Sequence, residues 1–379
     1  MPTSTNSATQ FQIRKSDIHK HRLVEHDAPR PGPGQALLKV DRFALTANNV
    51  TYALLGESFG YWKFFPATLT GGDNETDDAY GIIPVWGFAD VIASQHDSLS
   101  VGQRYYGYLP AATHLLVEPG RSSAAGFLDN APHRQGMNSI YNQYALTSAD
   151  PGYRQSDEAY QALLRPLFTT SFLLEDFIRD SDYFAATNLI VSSASSKTAY
   201  GTAHLLHNNK PAHIKLIALT SKRNRDFVVG LGCYDSVVSY DPEEIDQIDS
   251  QTPAAYFDFA GDTEIRDRVH AHFGDRLQHS ANIGSAHAQS VLQAGPDRAP
   301  AAGPKPELFF APGQAKKRLR EWRPAGFAER MAAGWDSFLP VVRQTIEVAE
   351  IAGAEELAAA YAAIAGGTAA ANKATIVRL

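Results

Sequence analysis

The sequence predicts an α/β protein in two parts, a β-rich, partly open barrel followed by a Rossmann-like, doubly wound parallel sheet. Three observations predict it. The first third carries closely spaced β-like runs cut by Gly and Pro. From Asn188 onward buried apolar runs alternate with amphipathic ones. A chain of 379 residues that is 44% hydrophobic is long enough for two cores.

"QALLKVDRFALTA" alternates and then runs apolar, and "GIIPVWGFADVIAS" and "VGQRYYGYLPAATHLLVEP" are short β-rich stretches. Several strands this close together suggest a barrel. Between about 120 and 157 the pattern breaks down, but the stretch is too aromatic for a disordered linker, so an ordered insertion is expected. "LLRPLFTTSFLLEDFIRD" has its apolar positions at helical spacing. "NLIVSS", "HIKLIALT", "DSVVSYD", "AAYFDFAG" and "LQHSANIG" then read as strands, with "KTAYGTAHLLHN", "KRNRDFVVGLG" and "DTEIRDRVHAHFG" as helices between them. The Pro/Ala/Gly-rich "AGPDRAPAAGPKP" is expected to be a loop before the strand "ELFFAP". Helices are expected around 328–352 and 355–365, then a turn and a final strand. The expected domains are 1–165, 166–325 and a C-terminal part, 326–379.

Composition removes several functions. A net charge of −7 lacks the basic face that a nucleic-acid scaffold needs and does not favour anionic lipid. No run of about 18 apolar residues offers a membrane span. The opening "MPTSTNSATQFQIRKSD" has no apolar core of the secretory type. Cys233 is the only cysteine, so no intramolecular disulfide or thiolate zinc cluster can form. A cytoplasmic protein with a small-molecule substrate is the expectation.

The stretch "LIVSSASSKTAYGTAHLLH" reads as strand, polar turn and helix. A dinucleotide pyrophosphate binds at such a junction through backbone N–H groups and the positive end of the helix. Ser193, Ser195, Ser196 and Thr198 bring hydroxyl donors to the turn, and Lys197 adds a positive charge. The alternative is a serine-rich helix cap without a ligand. "SSKT" also mimics the end of a P-loop, but Val191 and Ser196 occupy its two glycine positions. After the next strand come Thr220, Ser221, Lys222 and Arg223, with no acid to bind a ribose 2′-hydroxyl. That cluster suits a 2′-phosphate, so NADP(H) is the expected cofactor. A solvated helix start is the other reading.

Several segments carry a family resemblance. "LLKVDRFALTANNVTYALLG", "SLSVGQRYYGY", the 189–206 turn, "LGCYDSVVSYD", "AAYFDFAGD" and "LAAAYAAIAGGTAAANKATIVRL" fall in the order seen in the medium-chain dehydrogenase/reductase superfamily. The chain resembles a divergent branch of its zinc-independent quinone oxidoreductases and enoyl reductases. The resemblance implies a GroES-like barrel split around the nucleotide domain, and pairing of strand edges in a homodimer. It implies an NADPH-dependent, metal-free reductase that passes hydride to an activated alkene, quinone or carbonyl. Where zinc-dependent relatives have Cys and Gly-His-Glu, this chain has Thr46–Ala47 and "VWGFADV", so no catalytic metal is expected. His204 and His207 are expected on a helix surface or in packing.

By the same resemblance Tyr52 faces the nicotinamide and donates to the substrate oxygen, with Asn49 just before it. Thr169 and Thr170 fall on the helix beside the nicotinamide, and Phe310 at the strand end that meets its carboxamide. In the insertion, His133 and Tyr141 are candidate acid/base groups. Arg134 is a candidate carboxylate or phosphate clamp, and Asn142 a candidate substrate contact. Trp62 is a candidate wall of the substrate pocket. Ordinary packing is the competing reading for each. A lyase or isomerase using His133 or Tyr52, and a non-catalytic NADP-binding sensor, are the alternative functions.

Overall fold

The computed structural model describes residues 7–68, 79–283 and 300–379. The chain divides into two compact units. One is Met1–Leu163 with Val348–Leu379, and the other is Leu164–Glu347. Among the described residues no helix is long and apolar enough to cross a membrane.

The first unit begins with β1 (Ser7–Arg14), β2 (Asp17–Asp27) and β3 (Ala36–Leu45), then α1 (Ala47–Leu54). β4 (Tyr80–Ile82), β5 (Pro84–Ser94), β6 (Arg104–Pro110) and β7 (His114–Val117) follow. β8 (Pro119–Ser123), β9 (Gly126–Asp129) and β10 (Gln143–Leu146) lead into α2 (Glu158–Asp180). β2-β1-β4 form a small sheet, and the rest join a nine-stranded sheet. β3 pairs with β5 on one edge, and Ala36–Lys39 of its other edge pair with β7, so the sheet curls as a partly open barrel should. The 120–157 stretch is built from β8, β9 and β10, which extend the sheet from β6.

In the second unit β11 (Asn188–Val191), α3 (Lys197–Asn209), β12 (Lys215–Thr220), α4 (Arg225–Gly230), β13 (Ser236–Ser239), α5 (Pro242–Ile245), β14 (Ala254–Asp258), α6 (Thr263–Phe273), β15 (Leu277–Asn282) and β16 (Glu307–Leu308) alternate. The six strands are parallel, in the order β13-β12-β11-β14-β15-β16. This is the doubly wound order in which the direction of winding reverses between β11 and β14. Ile190, Leu219 and Tyr256 pack one face against Val269 and Phe273 of α6. A separate cluster joins Ala218 to Val228 of α4.

Two local features shape this unit. Gly201 lies where α3 crosses α2. A Cβ there would stand 2.7 Å from Ser171 Oγ, whose hydroxyl donates to the Thr198 carbonyl at 2.8 Å. Before β11, Asp182, Tyr183, Phe184 and Ala185 form a left-handed turn, with φ of 47°, 52°, 57° and 53°. Phe184 stacks on His279, ring centroids 3.8 Å apart.

The end of the chain differs from the sequence expectation. α7 (Ala311–Thr345) belongs to the second unit and is broken at Arg323 (φ 63°), just before Pro324. The return to the first unit comes at Val348 rather than 326. Glu347–Ala352, expected to continue a helix, is strand β17, which pairs with the last strand, Lys373–Arg378, at the edge of the sheet. α8 (Ala354–Ala365) and β18 (Lys373–Arg378) complete the fold, with β18 on the free half of the β3 edge. "ELFFAP" keeps only the two residues of β16 as strand. The part of the expected loop up to residue 299 lies outside the described residues.

Candidate functional site

β11 ends at Val191 beside β14, and the chain turns at 192–196 into α3. This is the crevice at the carboxyl ends of the strands where open α/β sheets take ligands. Ser192 Oγ donates to Asp258 Oδ1 at 2.7 Å and accepts the N–H groups of Phe259 and Ala260 at 3.0 and 3.1 Å. That knot fixes the two strand ends on either side of the crevice. Burial pushes the Asp258 carboxyl up, against the pull of its donors.

The turn is strained and clamped. Ser193 has φ 47°, left-handed backbone that normally favours glycine. Its N–H donates to the Tyr240 hydroxyl at 2.8 Å, and the Tyr234 hydroxyl donates to the Ala194 carbonyl at 3.1 Å. Asn224 Nδ2 donates to Ser195 Oγ at 3.0 Å, and Ser196 Oγ caps α3 by accepting from Ala199 N–H at 3.3 Å. Both serine oxygens are thus occupied as acceptors, which leaves their hydroxyl protons to point elsewhere. Lys197 is half-buried, and loss of water pulls its ammonium down to about 8. Thr198 is half-buried, and its carbonyl accepts from Thr202 as well as Ser171.

At the end of β12, Thr220 is buried, and its Oγ1 has no hydrogen-bond partner among the described residues. Ser221 caps the short turn 222–224 without a side-chain bond. Arg223 is exposed. Lys222 is ion-paired with Asp241, and Arg225 with Glu244 at 2.8 Å. Phe310, at the start of α7, is 62% exposed.

A second polar-aromatic cluster lies within the first unit. Tyr52 on α1 packs 4.7 Å from Tyr61 and 5.7 Å from Tyr108, and Tyr141 lies 4.7 Å from Tyr108 and 6.2 Å from Trp86. Burial raises the Tyr52 phenol well above its usual value, and the neighbouring Tyr141 phenol adds to the rise. Tyr52 therefore stays protonated. Trp86 Nε1 and the Tyr108 hydroxyl are buried without partners among the described residues.

Several of the expected site residues have partners of their own. Arg134 is 1% exposed. It pairs with Asp129 at 3.2 Å, donates to the Tyr144 hydroxyl at 3.1 Å and lies over the Phe65 ring at 4.7 Å. Its charge holds the insertion together and is not offered to a substrate. Asn49 is buried; its Oδ1 accepts from Thr46 N–H at 2.6 Å and its Nδ2 donates to the Pro84 carbonyl at 2.8 Å, so it anchors α1. Trp62 is core, wedged where a Cβ at Gly56 or Gly81 would stand 2.1 or 2.4 Å from its ring. Thr169 and Thr170 donate back to the Arg165 and Pro166 carbonyls of their own helix. Asn142 donates to the Arg134 carbonyl at 3.3 Å, a contact within the insertion. His133 is exposed, and partial desolvation lowers its ring, followed by the charge of Arg134. His204 packs on Phe338 and meets Ser337 at 3.2 Å. No group of three or more His, Cys, Asp or Glu among the described residues could hold a metal ion.

Sequence reasoning missed Tyr234, Tyr240, Asn224 and Asp241. The signal was available: parallel neighbours β12 and β13 bring their carboxyl ends together, so "VVSYD" had to meet "LTSKRN".

Residues 43–370 match the model of a family described as "Protein of unknown function (DUF2855)". The chain belongs to that family. Comparison with curated protein sequences gives no match. Among solved structures, this DUF2855 member is similar to a putative NADPH:quinone reductase from Mesorhizobium loti (TM-score 0.61, 12% identity, 100% of both chains). It is also similar to CurA from Vibrio vulnificus in complex with NADPH (0.59, 15%, 98% of both chains). A third is the yhdH oxidoreductase from Salmonella enterica in complex with NADP (0.53, 14%, 98% of this chain and 99% of that one). At these identities the likeness is one of fold. It agrees with the two-part fold expected from the sequence, a barrel-like unit and a doubly wound parallel sheet.

Proposed function

We propose that the chain is an NADPH-dependent, metal-free reductase that transfers hydride to an activated alkene, quinone or carbonyl. The observation that carries this reading is the 193–197 turn at the switch point between β11 and β14. There two serine hydroxyls have their oxygens already engaged, and a half-buried lysine ammonium, pulled down by desolvation, lies beside a helix N-terminus. Such a lysine is stabilised by an incoming anion. The two similar structures that hold NADPH and NADP support the choice of nucleotide.

In this reading Ser195, Ser196, Lys197 and Thr198 hold the pyrophosphate in place of glycine N–H groups. Ser193 shapes the turn. Thr220, Ser221, Lys222 and Arg223 receive the 2′-phosphate, and the orphaned Thr220 Oγ1 fits that role. Phe310 covers the nicotinamide end. The bound cofactor supplies the hydride. Tyr52 donates a hydrogen bond to the substrate oxygen as negative charge develops there, and the Tyr141 ring supports it.

Calorimetry and thermal shift with NADPH test the reading. We predict saturable one-to-one binding and a raised melting temperature. Binding should weaken in Lys197→Ala and Arg223→Ala, and adding an enone or quinone should produce steady NADPH oxidation. No binding at saturating nucleotide would end the proposal. Turnover without net change in the cofactor would favour a lyase or isomerase, and binding without turnover a sensor.

A further inference from the structure

Part of the basic turn that follows β12 is already engaged by an acid. Lys222 is ion-paired with Asp241, and the interaction raises the lysine further above its usual value. Asp241 follows Tyr240 directly, so two consecutive residues after β13 reach both parts of the candidate cradle. Tyr240 takes the Ser193 N–H of the pyrophosphate turn, and Asp241 takes the ammonium of the ribose-side turn. Arg225, three residues after Lys222, is likewise paired, one guanidinium nitrogen donating to both oxygens of Glu244 at 2.9 and 2.8 Å.

We infer that Asp241 is a selectivity-determining residue: it holds Lys222 as an internal stand-in for the 2′-phosphate and so lowers the preference for NADPH over NADH. The inference rests on the cofactor reading above. A 2′-phosphate reaching Lys222 must displace the Asp241 carboxylate or approach it closely. NADH carries no charge at that position and meets neither cost. The pair is well exposed, with side chains 71% and 41% accessible, so it breaks readily. Its effect is therefore a graded bias and not a block. Lys222 is at once the phosphate's partner and Asp241's, so the phosphate binds less tightly than the basic turn alone would allow.

The test measures NADPH and NADH dissociation constants by calorimetry on the full chain, for wild type, Asp241→Asn, Lys222→Ala and the double variant. Releasing the Lys222 ammonium from Asp241 to a phosphate a few ångströms away in a water-like medium is expected to tighten NADPH by roughly five- to tenfold. NADH should change by less than about twofold, since it lacks the charge. In the Lys222→Ala background, Asp241→Asn should gain little, because the freed ammonium is the source of the improvement. Three outcomes would overturn the inference: equal shifts for both nucleotides, weaker NADPH binding in Asp241→Asn, or a full gain that survives Lys222→Ala. If wild type binds neither nucleotide, the cofactor reading fails and this inference with it. If wild type binds NADPH and Asp241→Asn leaves it unchanged, only the inference fails. Adenosine 2′,5′-bisphosphate against adenosine 5′-monophosphate repeats the comparison without the nicotinamide, and the same ordering is expected.

Discussion

Replacing Arg134 by Ala decides whether the aromatic insertion is held together from inside or kept for a ligand. The side chain is almost fully buried and pairs with an equally buried Asp129 at 3.2 Å. Asp129 also accepts the N–H groups of Glu118 and Ala131 at 3.0 and 3.1 Å, so it remains in place when the arginine goes. The variant therefore leaves an uncompensated carboxylate in the interior. Breaking a buried pair in this way costs about 3–5 kcal/mol. The Tyr144 hydroxyl loses its donor at 3.1 Å as well, while keeping its own bond to the Tyr108 carbonyl at 2.6 Å. For a unit of this size class each kcal/mol is roughly 2–4 °C in Tm, so a fall on the order of 10 °C is expected. Near-UV circular dichroism during heating follows it directly, because the insertion packs Tyr144 and Phe127 against each other. Adding Asp129→Leu to the variant should recover part of the loss, since an apolar pair strands no charge. A variant that melts with wild type but loses kcat/KM would refute the argument and return Arg134 to the substrate.

Two further predictions concern the second unit. Gly201→Ala forces its new methyl against Ser171 and should cost about 1–3 kcal/mol, read by urea denaturation; an unchanged midpoint would mean that α2 and α3 separate freely. His279 is pushed down by desolvation, and its Nε2 is buried without a partner among the described residues. The unfolded chain therefore takes up its proton first. The stability tied to the neutral ring is fully present above the unfolded value of about 6.5 and is lost as pH falls below it, toward the depressed folded value. His279→Leu should flatten the decline of Tm on that side, and an identical slope would count against the assignment.

Much of the second unit could be read directly, because its strands are apolar, its helices amphipathic and its turns marked by Ser, Asp and Gly. The 189–207 segment forms the strand, turn and helix expected of it. What escaped was contact between distant residues. Nothing local in "HRQGMNSIYNQY" tells that Arg134 meets Asp129, a residue on the preceding strand, and not a ligand. Asn49 looked free because its two partners, Thr46 N–H and the Pro84 carbonyl, are backbone groups that carry no residue signature. β8 and β9 are too short and too polar to show alternation, and they form because the neighbouring edge of the sheet pairs them. Asp241 carries no local mark of its own, and the parallel register of β12 and β13 brings it beside Lys222.

The pairing of β18 with β3 has a consequence for how the molecule is made. Thr375–Val377 lie against Phe43–Leu45, and Leu357, Tyr361 and Val377 complete a core begun by Phe11. On the ribosome, the second unit has all of its strands in hand before the first unit has β18. The early strands must therefore wait, with half of one edge uncovered, until the final segment emerges. A nascent chain stalled just short of residue 373 would hold a finished second unit and an unsealed first one, and the bare rim of β3 is where aggregation would begin.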